Sequence, residues 1–262
     1  MAILLLDMRI QNQQTGCFQP VLIFSPKPIH MFIALSKKFT LLTTVVLALF
    51  TTMIFSACDD DDDPAQGRVL VVHASPDAPG VDLLVDDSKV NSAALTFPNN
   101  TGYLDVEAGN RNFKVNAAGT TTSVINANAT VDPNTNYSLF AVNTLSSIEA
   151  LLVEDDLTAP ASGKAHVRFI HLSPDAPAVD VTLTDGTVVF GNTSFKSGTA
   201  FTPLDAGTYN LQARVAGTST VALEIPNVSL TAGKIYTVFA RGFLAPPAGN
   251  TNALGVTIIA NN

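Results

Sequence analysis

The chain has 262 residues, with 14 Lys and Arg against 22 Asp and Glu for a net charge of −8, and it holds only two Cys and no Trp. So acidic a balance offers no basic patch for phosphate, which excludes nucleic acid as an expected partner. Cys17 and Cys58 cannot make a disulfide framework, so stability has to come from core packing over a length that suits two domains of roughly 100 residues each.

Residues 1–30 carry Pro20, Pro26 and Pro28 and show no periodicity, so they read as an over-extended N-terminus ahead of a start at Met31. Residues 31–57 read as a signal peptide: Lys37 and Lys38 precede an uncharged apolar stretch over 39–57 that closes on small residues. An uncleaved membrane anchor is the alternative at that length. The bulky Phe55 disfavours ordinary signal-peptidase cleavage, which wants a small residue there. Ser56-Ala57-Cys58 resembles a bacterial lipobox, which implies lipidation of Cys58 through its nucleophilic thiol and a membrane held as partner by acyl chains.

Residues 58–67 form an acidic tether, with Asp59 to Asp63 in a row before Pro64. Five adjacent carboxylates repel one another and keep the segment solvated. The run also resembles the acidic tract that follows the lipidated Cys in surface-exported Bacteroidota lipoproteins. That implies an outer-membrane lipoprotein of the cell envelope, with surface display and retention on the periplasmic side both open.

A ten-residue phrase then occurs twice. His73-Ala74-Ser75-Pro76-Asp77-Ala78-Pro79-Gly80-Val81-Asp82 returns 98 residues later as His171-Leu172-Ser173-Pro174-Asp175-Ala176-Pro177-Ala178-Val179-Asp180, with eight positions identical. Thr101 and Thr199, Gly119-Thr120 and Gly217-Thr218, and Tyr137 and Tyr236 extend the match. So long a period means a duplicated domain, not a solenoid. Repeat 1 is expected over 68–156, a linker over 157–164 and repeat 2 over 165–262.

Both repeats alternate with period two. Val81, Leu83 and Val85 recur as Val179, Val181 and Leu183, one apolar face of a strand. Asp185-Gly186 marks a hairpin, and Tyr209 to Val215, Ile235 to Arg241 and Leu254 to Ala260 read as further strands. About seven strands per repeat predict an all-β chain of two tandem antiparallel β-sandwich, Ig-like domains after the signal helix.

The phrase Val-x-x-x-His-x-Ser-Pro-Asp-Ala-Pro-x-Val-Asp, followed by Ala206-Gly207-Thr208-Tyr209, is similar to the domain of unknown function 4397 family. Repeat 1 departs from it where Arg111 stands in place of Tyr209. The resemblance implies secreted or surface-anchored β-sandwich modules, and it supplies no activity or ligand.

As chemistry, the phrase reads first as a stiff corner. Pro76 and Pro174 fix φ, Asp77 and Asp175 with Ser75 and Ser173 can bond nearby backbone, and His73 and His171 end an inward face. The alternative gathers His73, Asp77 and Asp82, and His171, Asp175 and Asp180, into metal or catalytic sites, but no tight ligand spacing supports it. No catalytic residue, cofactor or metal ligand is therefore assigned. The function expected is a lipid-anchored binding, adhesive or structural module with an unidentified protein or glycan partner. A glycan- or metal-binding accessory protein, or a hydrolase, is the alternative; an enzyme should carry a convergent polar pocket at equivalent places in both repeats. Asn99-Asn100-Thr101 and Gly249 to Asn252 read as solvated loops, and His166 as solvent-exposed.

Overall fold

A computed structural model describes residues 64–262. The expected N-terminal extension (1–30), signal peptide (31–57), Cys58 and Asp59 to Asp63 lie outside the described residues.

Repeat 1 contains β1 (Gln66–His73), β2 (Val81–Val85), β3 (Ser88–Lys89), β4 (Asn100–Glu107), β5 (Gly109–Ala117), β6 (Ser123–Val131), β7 (Asn136–Val142) and β8 (Glu149–Glu154). Repeat 2 follows the same plan: β9 (Lys164–His171), β10 (Val179–Leu183), β11 (Val188–Thr193), β12 (Thr202–Asp205), β13 (Gly207–Val215), β14 (Val221–Leu230), β15 (Ile235–Arg241) and β16 (Gly255–Ala260). The described chain is all-β. Each repeat is a sandwich of two four-stranded sheets, β4-β1-β7-β8 over β3-β2-β5-β6, and β12-β9-β15-β16 over β11-β10-β13-β14. Pairing is antiparallel except that β1 runs parallel to β7, and β9 to β15.

The alternation read from the sequence places the cores. Val69, Val71, Val81, Leu83, Phe113 and Val115 pack inside repeat 1, and Val167, Phe169, Val179, Val181, Leu211 and Ala213 inside repeat 2. β1 and β9 are apolar on their other face as well, because each lies at the centre of a sheet covered on both sides. Thr101 and Thr199 serve the same purpose in both sandwiches: each hydroxyl accepts an N–H of the central strand, from Val71 at 3.1 Å and from Phe169 at 3.0 Å. In repeat 1 this lies where the β1–β4 register shifts.

The segment 157–164, expected as a linker, does not hold the two sandwiches apart: they pack directly on each other. Leu70, Val72, Ala74, Phe140 and Val142 of repeat 1 form a single buried cluster with Ile170, Leu172, Phe239 and Ile259 of repeat 2. Phe140 and Phe239 meet edge to face with ring centroids 5.9 Å apart. Both repeats accordingly fall in one compact unit. The cause is the second apolar face of β1 and β9, which a solitary sandwich would leave in water. Counting each residue from the repeated phrase, Val72 corresponds to Ile170, Ala74 to Leu172 and Phe140 to Phe239. Each repeat thus offers the same face to the other, as in an isologous dimer.

Three surface expectations also change. Asn100 and Thr101, expected in a solvated loop, belong to β4, and Thr101 is half-buried. Asn250 and Asn252, expected in water, donate their side-chain amides to the Pro76 carbonyl of repeat 1 at 3.0 and 2.6 Å. His166 is half-buried rather than exposed.

Candidate functional site

β1 and β9 deliver His73 and His171 into the two sandwich interiors, where neither ring is exposed. The Nε2–H of His73 donates to the Pro79 carbonyl at 2.9 Å, and that of His171 to the Pro177 carbonyl at 3.0 Å. A carbonyl can only accept, so the proton sits on Nε2 and Nδ1 is left as an acceptor. In repeat 2 the Ser173 N–H supplies it at 3.3 Å. Burial lowers both imidazole pKa values against the opposing pull of the carbonyl bonds, which keeps the rings neutral near pH 7.

The carboxylates reach farther than their own turn, where the sequence placed their bonds. Asp77 Oδ1 accepts the N–H of Leu145 at 2.7 Å, and Asp175 accepts those of Leu244 and Ala245 at 2.7 and 2.8 Å. Each corner is thereby tied to the loop that leaves the parallel strand, β7 or β15. Asp82 and Asp180 tie the start of β2 and β10 to the far hairpin: Asp82 Oδ2 accepts the Gly119 N–H at 2.9 Å, and Asp180 Oδ2 that of Gly217 at 2.8 Å. Both glycines have φ of 73°, the left-handed geometry that aims the N–H at the carboxylate. This accounts for the glycine of the shared Gly-Thr pair, and the Thr120 and Thr218 hydroxyls donate to the Ala117 and Val215 carbonyls at 2.8 and 2.9 Å. Lys89 at 2.8 Å, then the Gly119 N–H, holds the Asp82 carboxyl below its ordinary pKa; the Asn192 and Gly217 N–H groups do so for Asp180.

Ser173 Oγ donates to the Gly242 carbonyl at 2.6 Å, whereas Ser75 Oγ and His73 Nδ1 are buried without a partner. Pro174 and the buried Pro76 stiffen the two corners. Among the described residues, no three His, Cys, Asp or Glu are grouped to hold a metal.

Sequence reasoning missed a second polar cluster, between the repeats. Arg168 and Asp155, both essentially unexposed, form an ion pair at 2.5 Å. Tyr103 and Ser138 hydroxyls donate to Asp155 Oδ2 at 2.5 and 2.7 Å, and Arg168 Nε donates to Thr237 Oγ1 at 2.9 Å. Asn261 closes the ring, accepting from Thr237 at 2.8 Å and donating to Tyr103 at 3.0 Å. Burial, then the Asp155 charge, pushes the Tyr103 hydroxyl far above its usual pKa. A signal existed: Arg168 interrupts the apolar run of β9 at the place where Leu70 stands in β1.

Each sandwich also opens between its sheets at the same end. In repeat 1 this is a cleft of about 640 Å³ with Val85, Leu104 and Val106 in its wall and Asp86, Glu107 and Arg111 among its polar residues. Arg111 is held by Asp86 at 3.0 Å and Glu107 at 3.1 Å. In repeat 2 the corresponding Leu183, Leu204 and Tyr209 line a cavity of about 140 Å³ whose walls are apolar throughout. Equivalent places therefore carry unlike chemistry.

The profile of the domain of unknown function family (DUF4397) matches residues 67–182 and 179–262, the first match running through β9 into β10. No match is found among curated proteins. Among solved structures the chain is similar to the Bacillus anthracis TIE protein, at 14% identity and a TM-score of 0.23, covering 68% of this chain and 34% of that one. The chain spans about a third of that protein's length, and a superposition so loose bears on neither fold nor function. The two profile matches together cover well over half of the sequence, so the chain belongs to the DUF4397 family.

Proposed function

We propose that the protein is a lipid-anchored module of the cell envelope, in which Cys58 and the acidic tether carry a stiff double sandwich that binds or spaces and does not catalyse. One observation supports this above the others: the motif groups that could work on a substrate are already committed to the fold. Asp77, Asp175, Asp82 and Asp180 accept backbone N–H groups, and both imidazole Nε2–H groups donate to backbone carbonyls. A general base needs a free lone pair within reach of a substrate proton. The partner on this reading is a protein or glycan met by exposed loops and strand edges.

The test is made in a bacterial host fed a labelled fatty acid. The wild-type chain takes up label and partitions with membranes, and Cys58→Ala does neither, since stable anchoring needs more than one acyl chain. Label retained by Cys58→Ala would refute the anchor. Protease added to intact cells then separates surface display, where the sandwiches are cut off, from a periplasmic position, where they survive.

A further inference from the structure

The core of repeat 2 is incompletely filled, and its chemistry restricts what could enter. The 140 Å³ cavity is bounded by Phe169, Val181, Leu211, Ile225, Val228 and Val238, and the half-exposed Leu183, Val189, Leu204 and Tyr209 mark the end nearest solvent. Its one hydroxyl is engaged, since Tyr209 donates to the Asp205 carbonyl at 2.8 Å. A guest would therefore find no hydrogen-bond partner inside.

The two copies build this layer from different shapes. Register places Leu211 opposite Leu183 and beside Ile225, where repeat 1 has Phe113 opposite Val85 and beside Ala127. Repeat 1 spans the layer with one ring between smaller neighbours; repeat 2 has three branched aliphatic chains there. Phe169 and Phe190, from opposite sheets, stack with centroids 6.4 Å apart and prop the sandwich open beside it.

We propose that this cavity is a binding site for a small hydrocarbon group, one aromatic ring or the end of an alkyl chain, entering past Tyr209 and Leu204. An apolar cavity of about 150 Å³ engineered in another protein stays dry and takes benzene or xenon, so the volume is sufficient. The inference is independent of membrane anchoring, because it concerns only the interior of repeat 2.

The experiment uses the purified protein with benzene and, separately, octanoate. A guest bound only to the native state raises the melting midpoint, by about 3–6 °C at tenfold excess over its dissociation constant. A rise with benzene alone identifies a ring site, and a rise with octanoate identifies an alkyl site whose carboxylate stays at the mouth. Leu211→Phe alone adds volume at the wall of the cavity and should abolish or sharply reduce the rise while leaving the protein folded. Should that variant fail to fold, xenon under pressure in wild-type crystals decides: a site among Phe169, Leu211 and Val228 supports the proposal. No rise with either probe and no xenon there, or a rise unaltered in the folded variant, would overturn it.

Discussion

The two repeats share a strand plan but differ in many side chains, and the differences sort by physical role. Several side chains that tie distant segments by a hydrogen bond recur in both copies: Thr101 and Thr199 at the central strand, Asp82 and Asp180 at the hairpin glycines, and the histidines on their carbonyls. Where a side chain only fills space, the copies can diverge, as with Phe113 and Leu211 or Val71 and Phe169. Apolar volume can be redistributed among neighbours, whereas a buried donor cannot exchange its acceptor. The face between the repeats runs the other way: Val72, Ala74 and Phe140 find apolar counterparts in Ile170, Leu172 and Phe239, yet Arg168 and Asp155 stand where the other copy has Leu70 and Asn261.

That asymmetry offers the largest test. Arg168→Leu alone leaves Asp155 buried without its cation, and the expected loss is about 3–5 kcal/mol of stability. Arg168→Leu with Asp155→Asn gives each position the residue its counterpart carries, and most of the loss should return. Urea unfolding of the two variants and the wild type measures this. A double variant no more stable than the single would show that the ion pair does not act as a unit. If the shared cluster joins the sandwiches into one folding unit, wild-type unfolding followed through each repeat should also give a single coincident transition.

Acid should act on both corners alike. Each histidine is neutral in the fold with its pKa lowered by burial, while in the unfolded chain it returns to about 6.5. The unfolded state then binds more protons just below that value, so stability is fully present above about pH 6.5 and falls as pH drops through the window beneath it. Replacing both rings with Gln should flatten the slope between pH 7 and 5. An unchanged slope would assign the acid sensitivity elsewhere, with the lowered carboxyls of Asp82 and Asp180 the next groups to titrate.

The serines of the corner separate the copies at smaller scale. Ser173→Ala removes the donor to the Gly242 carbonyl and should cost roughly 1–3 kcal/mol. Ser75 Oγ has no partner, so Ser75→Ala should be neutral or slightly stabilising by thermal melting. Equal costs would mean that Ser75 makes a bond equivalent to that of Ser173.

Much of the sandwich architecture was legible because strand period and turn chemistry are local. Val81-Asp82-Leu83 announces its inward face, and Asp185-Gly186 does close the β10–β11 connection, with Gly186 at φ 93°. The packing of one repeat on the other was not legible in the same way. β1 and β9 read as inward strands by their odd residues, and Leu70, Val72 and Ile170 on the even side look like surplus apolar surface until both faces are known to be covered. The targets of Asp77 and Asp175 were hidden for a related reason. A short acidic side chain beside Pro reads as bonding its own turn, and only the parallel return of β7 and β15 brings Leu145 and Leu244 within reach. Gly242 marks that region in the sequence without explaining it: a Cβ there would lie 2.2 Å from the Ala253 carbonyl oxygen.

The smallest effect is expected at the rim between the repeats. Lys196 and Glu149 join them across a 3.0 Å ion pair, with side chains 41% and 44% exposed. At that exposure water screens most of the attraction, and holding two long side chains in one geometry costs entropy. Lys196→Ala should therefore change stability by less than about 1 kcal/mol, and 1 M salt should erase what difference there is, because the screening length then falls to about 3 Å. The Arg168 variant should keep nearly all of its defect in the same salt, since its charges lie out of solvent. If Lys196→Ala instead proved as damaging as Arg168→Leu, the repeats would be held by their charged rim, and the buried Phe140–Phe239 face would be a weaker joint than its burial implies.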